Sequence, residues 1–187
     1  MANRLPPFAS FFLLSLLLAT PSSNSSPTFP IPINNDQLSH LQFYIHDKIS
    51  SPNATAIKVA ADPSGSRAST TGLHFGSVYV IDDPLTEGPD KNSKPLGRAR
   101  GFYSVSSTDG SDLYFTVQII FTDGVYTGSS VAVMGRDPIT EKVRELPVVG
   151  GTGVFRLARG FAVMKTHAFD TATGDAILFV EAYILHH

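Results

Sequence analysis

From Leu38 to the C-terminus, apolar residues recur at every second position or run on as β-branched stretches, and nowhere keep a helical period over several turns. Such alternation predicts strands, because successive side chains of a strand point to opposite faces. Strands are expected over residues 42–49, 54–61, 75–81, 97–106, 112–121, 128–134, 155–167 and 176–186. Turn pairs separate several of them: Asp109-Gly110, Asp123-Gly124, Gly150-Gly151 and Thr173-Gly174. The GGTG run at 150–153 reads as a turn between strands, since no helical pattern follows it. About eight strands on short connections predict an all-β fold, an eight-stranded antiparallel up-and-down β-barrel. Closure removes the sheet edges and leaves room for one small ligand.

The same alternation sorts side chains onto faces. In the first strand Phe43, Ile45, Asp47 and Ile49 share a face, which sets one carboxylate in an apolar row. Such a group is paired or is driven towards its neutral form, which is how a general acid near neutral pH is made. The alternative is that Asp47 caps a turn before Lys48. In 97–103 the row Gly97, Ala99, Gly101, Tyr103 sets a phenol beside small residues, and Ala158, Gly160, Ala162, Met164 and Thr166 repeat the arrangement in a later strand. Small residues inside a barrel make space for a ligand, or else glycines ease the coiling of the sheet. Two strands with the pattern favour a cavity. Asp137 lies where a strand ends, before Pro138, and Arg144 follows seven positions later. By position alone they read as an ordinary surface ion pair. Asp82-Asp83-Pro84 reads as the end of a strand, opening a long loop to Pro95 that would serve as a lid.

Composition narrows the classes. The 187 residues suit one domain. Residues 1–23 carry Arg4 and an apolar run at 8–19, too short to span a bilayer, and read as a signal peptide. Residues 24–37 are rich in Pro, Ser and Asn and read as a flexible N-terminus, leaving 38–187 as the barrel domain, secreted and not a membrane protein. Asn24 and Asn53 head Asn-x-Ser/Thr glycosylation acceptors. The absence of cysteine excludes disulfides, thiolate metal sites and a cysteine nucleophile. A net charge of −2 with scattered Lys and Arg argues against nucleic acid as a partner. The six histidines show no metal-ligand spacing, and no nucleophile elbow, phosphate loop or dinucleotide fingerprint is present, so no metal and no cofactor is expected.

The blocks FYIHDKI (43–49), NATAIKVA (53–60), FGSVYVIDDPLTEGP (75–89), SKPLGRARGFYSV (93–105), GSSVAVMGRDPITEKVRELPVVGGTGVFRLARGFAV (128–163) and VEAYILHH (180–187) occur in an order that resembles the plant dirigent family over nearly the whole mature chain. The resemblance implies an eight-stranded barrel, usually a homotrimer (a dimer being the other option), in the plant apoplast. It implies binding of phenoxy radicals made by an external oxidase such as a laccase, with stereoselective coupling as in lignan formation. Some relatives are lyases that remove water from an isoflavanol to close a pterocarpan ring through a quinone-methide-like intermediate. By motif, Asp47, Tyr103, Asp137, Arg144 and Thr166 are similar to family pocket residues. The acids and Arg144 would act on a phenolic or quinone-methide oxygen, and Tyr103 and Thr166 would line and orient. Val105 stands where lignan-forming members often carry a second tyrosine, and the tail resembles the branch that includes pterocarpan-forming relatives. Three readings follow: a non-oxidising guide for radical coupling, a dehydratase, and a non-catalytic phenol-binding or lignin-scaffold barrel. Allene oxide cyclases share the architecture, but the export signal argues against that plastid pathway.

Overall fold

The computed structural model describes residues 36–61, 69 and 71–187; the expected signal peptide and Asn24 lie outside them. The chain forms β1 (Gln37–Asp47), β2 (Ala56–Ala60), β3 (Val78–Thr86), β4 (Pro95–Val105), β5 (Asp112–Phe121), β6 (Ser130–Pro138), β7 (Arg144–Thr152), β8 (Arg159–Phe169) and β9 (Ala176–His186). All pairings are antiparallel, in the order β1-β9-β8-β7-β6-β5-β4-β3-β2, with β1 also pairing β3. That last pairing is short, Tyr44 opposite Thr86 and Ile45 opposite Leu85, yet it closes the sheet. The staves of the closed barrel are therefore β1 and β3 to β9, eight in all.

The expected count of eight holds, but its membership differs. The 54–61 run is not a full stave: β2 pairs only with β3, continuing the seam that β1 leaves. The stave absent from the sequence reading is β7, which runs through Pro147 and Gly150-Gly151. Those residues do not end the strand because its ladder to β6 already shifts register at Ala132/Val133. β3 likewise runs straight through Asp82-Asp83-Pro84, so the long lid expected to start there is a hairpin joining β3 to β4. Pro84 is tolerated where the strand's partner changes from β2 to β1, a point at which a missing N–H costs little. β1 begins at Gln37, inside the stretch read as flexible.

Alternation sets the core. Leu113, Phe115, Val117, Ile119 and Phe121 of β5 point inward and are buried, and the other staves follow suit. One end of the barrel is plugged by aromatics: Phe155 is fully buried, with Tyr126, Phe121 and His186 ring centroids 4.9, 5.7 and 5.1 Å away. His186 Nε2 lies 2.8 Å from Ser39 Oγ, which ties β9 to β1 at this end.

Two of the glycines expected to make ligand space serve the sheet instead. A Cβ on Gly101, at φ +155°, would lie 2.1 Å from the Thr116 carbonyl oxygen, and one on Gly160, at φ +152°, would lie 2.0 Å from that of Tyr183. The neighbouring strands pass too close for any side chain. Gly101→Ala is therefore expected to lower unfolding stability by about 2–3 kcal/mol in urea titration. Gly150→Ala, whose Cβ meets nothing within 4 Å, should change it by less than about 0.5 kcal/mol.

Candidate functional site at the open end of the barrel

Asp47, Tyr103, Asp137 and Thr166 lie towards the C-terminal ends of β1, β4, β6 and β8, which run the same way, and Arg144 opens the oppositely running β7. All five thus sit at the end of the barrel away from the aromatic plug. Their contacts divide them into two groups.

The first group is Asp137, Arg144 and Thr166. Asp137 and Arg144 are not a surface pair: they are only 2 % and 3 % exposed. Arg144 Nε lies 3.4 Å from Asp137 Oδ1, an ion pair without hydrogen-bond alignment, and both atoms lack any hydrogen-bond partner. Arg144 Nη2 donates to Thr166 Oγ1 at 3.1 Å. Burial pushes the Asp137 carboxyl up to about 6; Arg144 opposes the rise and Asp112 adds to it. Buried polar atoms are nearly always hydrogen-bonded, so an orphaned carboxylate oxygen beside an orphaned guanidinium N–H marks a place where a third polar group belongs.

The second group is Asp47 and Tyr103, joined by a residue that sequence reading missed, Asp83. Asp47 faces inward beside Ile45, and burial raises its carboxyl above the usual range, opposed by a hydrogen bond from the Tyr103 hydroxyl and reinforced by Asp175. Asp83 is 1 % exposed. Burial raises it as well, reinforced by Asp47 and opposed by Thr55. Burial beside the negative Asp47 raises the Tyr103 hydroxyl far above the ordinary phenol range, so it remains a donor. The Tyr103 ring stacks on Tyr79, with centroids 4.9 Å apart and planes 20° apart. The signal that would have found Asp83 is the alternation Tyr79, Ile81, Asp83, Leu85, all buried, with Val80 and Asp82 outside. Asp82 sits outside, on Arg98 and Arg100, and as an Asp-Asp-Pro tripeptide the three looked like a turn.

Below the rim the lumen is nearly filled. Phe43, Ile45, Phe115, Ile119, Phe121 and Met164 leave an apolar void of about 20 Å3, close to what one water needs. Where the small residues suggested a deep empty chamber, the bulky β5 side chains Phe115, Ile119 and Phe121 line this narrow void. A roomier space is an open depression of about 490 Å3 at the rim, walled by His46, Asp47, Lys48, Lys91, Phe169 and Ile177, within the size range of small-molecule sites. Asp47 thus belongs both to the buried acid group and to an accessible wall. Asn53 is exposed in the β1–β2 turn, at φ +67°. Among the described residues no group of three or more His, Cys, Asp or Glu is placed to hold a metal ion.

Closed antiparallel staves thus carry buried acids and an arginine at one end, above a nearly filled apolar interior. The model of the dirigent-like protein family matches residues 38–185, and the chain belongs to that family. Dirigent protein 21 of Arabidopsis thaliana is 39 % identical over 183 residues, covering 97 % of this chain and 95 % of its own. Pterocarpan synthase 1 of Glycyrrhiza echinata is 38 % identical over 178 residues, covering 95 % and 93 %. The solved structure of the pterocarpan synthase dirigent protein GePTS1 superposes with a TM-score of 0.76 at 38 % identity, covering 81 % of this chain and 86 % of that one.

The raised Asp137 carboxyl has a sign that can be measured. A group whose folded-state pKa exceeds its unfolded value of 3.8 contributes stability that is full below pH 3.8 and is lost as pH rises through about 6. Asp137→Asn removes this contribution. The free energy of unfolding should fall less steeply between pH 4 and pH 6 in the variant than in the wild type, as read by denaturant titration at several pH values.

Proposed function

We propose that this protein binds phenolic intermediates at the rim and sets the stereochemistry with which phenoxy radicals, generated by an external oxidase such as a laccase, couple outside the cell. The observation that carries the reading is the buried, under-satisfied acid–arginine rim above an apolar throat, together with family membership. When two phenoxy radicals join through a C–C bond, the product is a quinone methide. Its closure needs a proton delivered to the carbonyl oxygen and a proton removed from the attacking hydroxyl. A protonated carboxyl at Asp47 or Asp137 supplies the first, and an ionised one takes the second. Arg144 holds the oxygen on which negative charge develops, and Tyr103 donates without losing its proton. The protein supplies no oxidant, and its part is to hold the guests in one relative orientation and to move protons.

A second reading, a lyase that dehydrates an isoflavanol, is favoured by the likeness to a pterocarpan synthase at 38 % identity. The same groups serve it: an acid protonates the leaving hydroxyl, the C–O bond breaks and water departs, and a carboxylate takes the phenolic proton. Self-association, as a homotrimer by family likeness, is supported by an apolar row on the outer wall. Ile57, Val80, Phe102 and Met134 are exposed and follow one another across the β2–β6 registers through Thr116.

The test uses two incubations of the mature protein, one with coniferyl alcohol plus laccase and one with an isoflavanol alone, each resolved on a chiral column. Enantiomeric excess only with the oxidase is the expected result; product from the isoflavanol alone establishes the lyase reading. Asp137→Asn should return the coupled products to a racemate. Stereoselectivity unchanged in that variant would remove the acid from the mechanism.

A further inference from the structure

The clearest unexplained feature is the pair of inward carboxyls at the β1–β3 seam. Ile45 and Leu85 are partners across that seam, and Asp47 and Asp83 each lie two residues beyond them, on the same inner face. Oδ1 of each is buried and has no hydrogen-bond partner. No ion pair of the described residues reaches either one; the arginines on β4, Arg98 and Arg100, are engaged with Asp82 on the outer wall. The groups facing the pair are Tyr103 from β4, Thr55 from the β1–β2 turn, Asp175 before β9, and, more remotely, Arg98 and Asp82. Tyr103 stays protonated and Thr55 is neutral, so the groups that hydrogen-bond the pair are donors; Lys48 and Lys91 on the depression wall and Arg98 on β4 make no ion pair with it. Two neighbouring buried carboxylates with no ion-pair partner resist ionising together, and a proton placed between them relieves the repulsion and satisfies an orphaned oxygen.

Building on the reading that the guest is a phenol, we propose that Asp47 and Asp83 hold a single proton between them and work as a donor–acceptor couple, Asp47 meeting the guest's oxygen and Asp83 positioning and replenishing the proton behind it. Asp47 has the access, since it walls the rim depression, whereas Asp83 is sealed behind it. In the closure step the couple gives its proton to the quinone-methide oxygen and recovers one from the attacking hydroxyl, so it returns to its starting state with no net change. Burial raises each carboxyl, and Asp47 adds to the rise of Asp83, in keeping with a couple that retains a proton at neutral pH.

The experiment is a pH titration of the protein labelled with 13C at the aspartate carboxyls, followed by NMR, which needs no substrate. In the wild type, Asp47 and Asp83 should titrate together in two steps, both above the ordinary carboxyl range. In Asp83→Asn the upper step should vanish, and in Asp47→Asn the step of Asp83 should move down. Independent single titrations, with midpoints that do not change when the other acid is replaced, overturn the proposal, and the wild-type titration gives that answer even if a variant folds poorly. With coniferyl alcohol and laccase, Asp83→Asn should lower the excess of the favoured enantiomer and shift the pH dependence of what remains, and Asp83→Glu should restore part of it. Excess and pH dependence both unchanged in Asp83→Asn, while Asp137→Asn abolishes the excess, also overturn it. If the wild type shows no stereoselectivity or turnover at all, the phenol reading falls separately, and the titration alone decides whether the couple exists.

Discussion

The structure depends on the seam where β1 meets β3. Only Tyr44–Thr86 and Ile45–Leu85 are paired there, with β2 carrying the rest of the β3 edge, yet this contact turns an open sheet into a closed wall. Closure gives the inner face its low dielectric, and without it Asp47 and Asp83 would be two edge carboxylates in water at their ordinary pKa values. With it, desolvation of both, with Asp175 beside Asp47 and Asp47 beside Asp83, holds protons that the unfolded chain would release. The chemistry of the rim is in this sense a product of topology.

The two ends of the barrel are handled in opposite ways by the same alternating pattern. At one end Phe121, Tyr126, Phe155 and His186 pack ring against ring. At the other, the inward positions pass from hydrocarbon to Asp47, Asp83, Tyr103, Asp137 and Arg144 within a residue or two of the last apolar side chains. On the proposed reading, an aromatic guest seated above the filled throat with its oxygen among those groups matches this gradient. Buried ion pairs are weak sources of stability and are destabilising when half removed, so retention of Asp137 and Arg144 with unmet hydrogen-bonding capacity fits a binding role better than a structural one.

Much of this was legible in the sequence because period-two alternation survives where each strand has one wet face. Alternation alone put Phe43, Ile45 and Asp47 on one face, and that face is the inner one. Asp137 and Arg144 were not, since a charged pair near Pro138 looks the same whether the strand ends in solvent or in a lumen. Only resemblance to the family placed them in a pocket, and their burial follows from the closed fold. Asp83 and β7 were hidden by local chemistry of the opposite meaning. Asp-Asp-Pro and Pro147 with Gly150-Gly151 are turn signals in an isolated chain, and they become strand residues because neighbouring staves supply a partner change or a bulge at those points. The glycines of β4 and β8 misled in the other direction. What reads as empty volume beside Tyr103 is the close approach of adjacent backbones, and the bulk of β5 fills the throat.

The most direct test of the account is a crystal structure of the protein soaked with a phenolic alcohol, in the absence of any oxidase, at a pH below 6. The account predicts the ring at the rim, above the filled throat, with a guest oxygen within hydrogen-bond distance of Asp47 and Tyr103 or of Asp137 and Arg144. A guest that binds only on the outer wall, with the rim acids closed over one another and their oxygens satisfied by water, would contradict it.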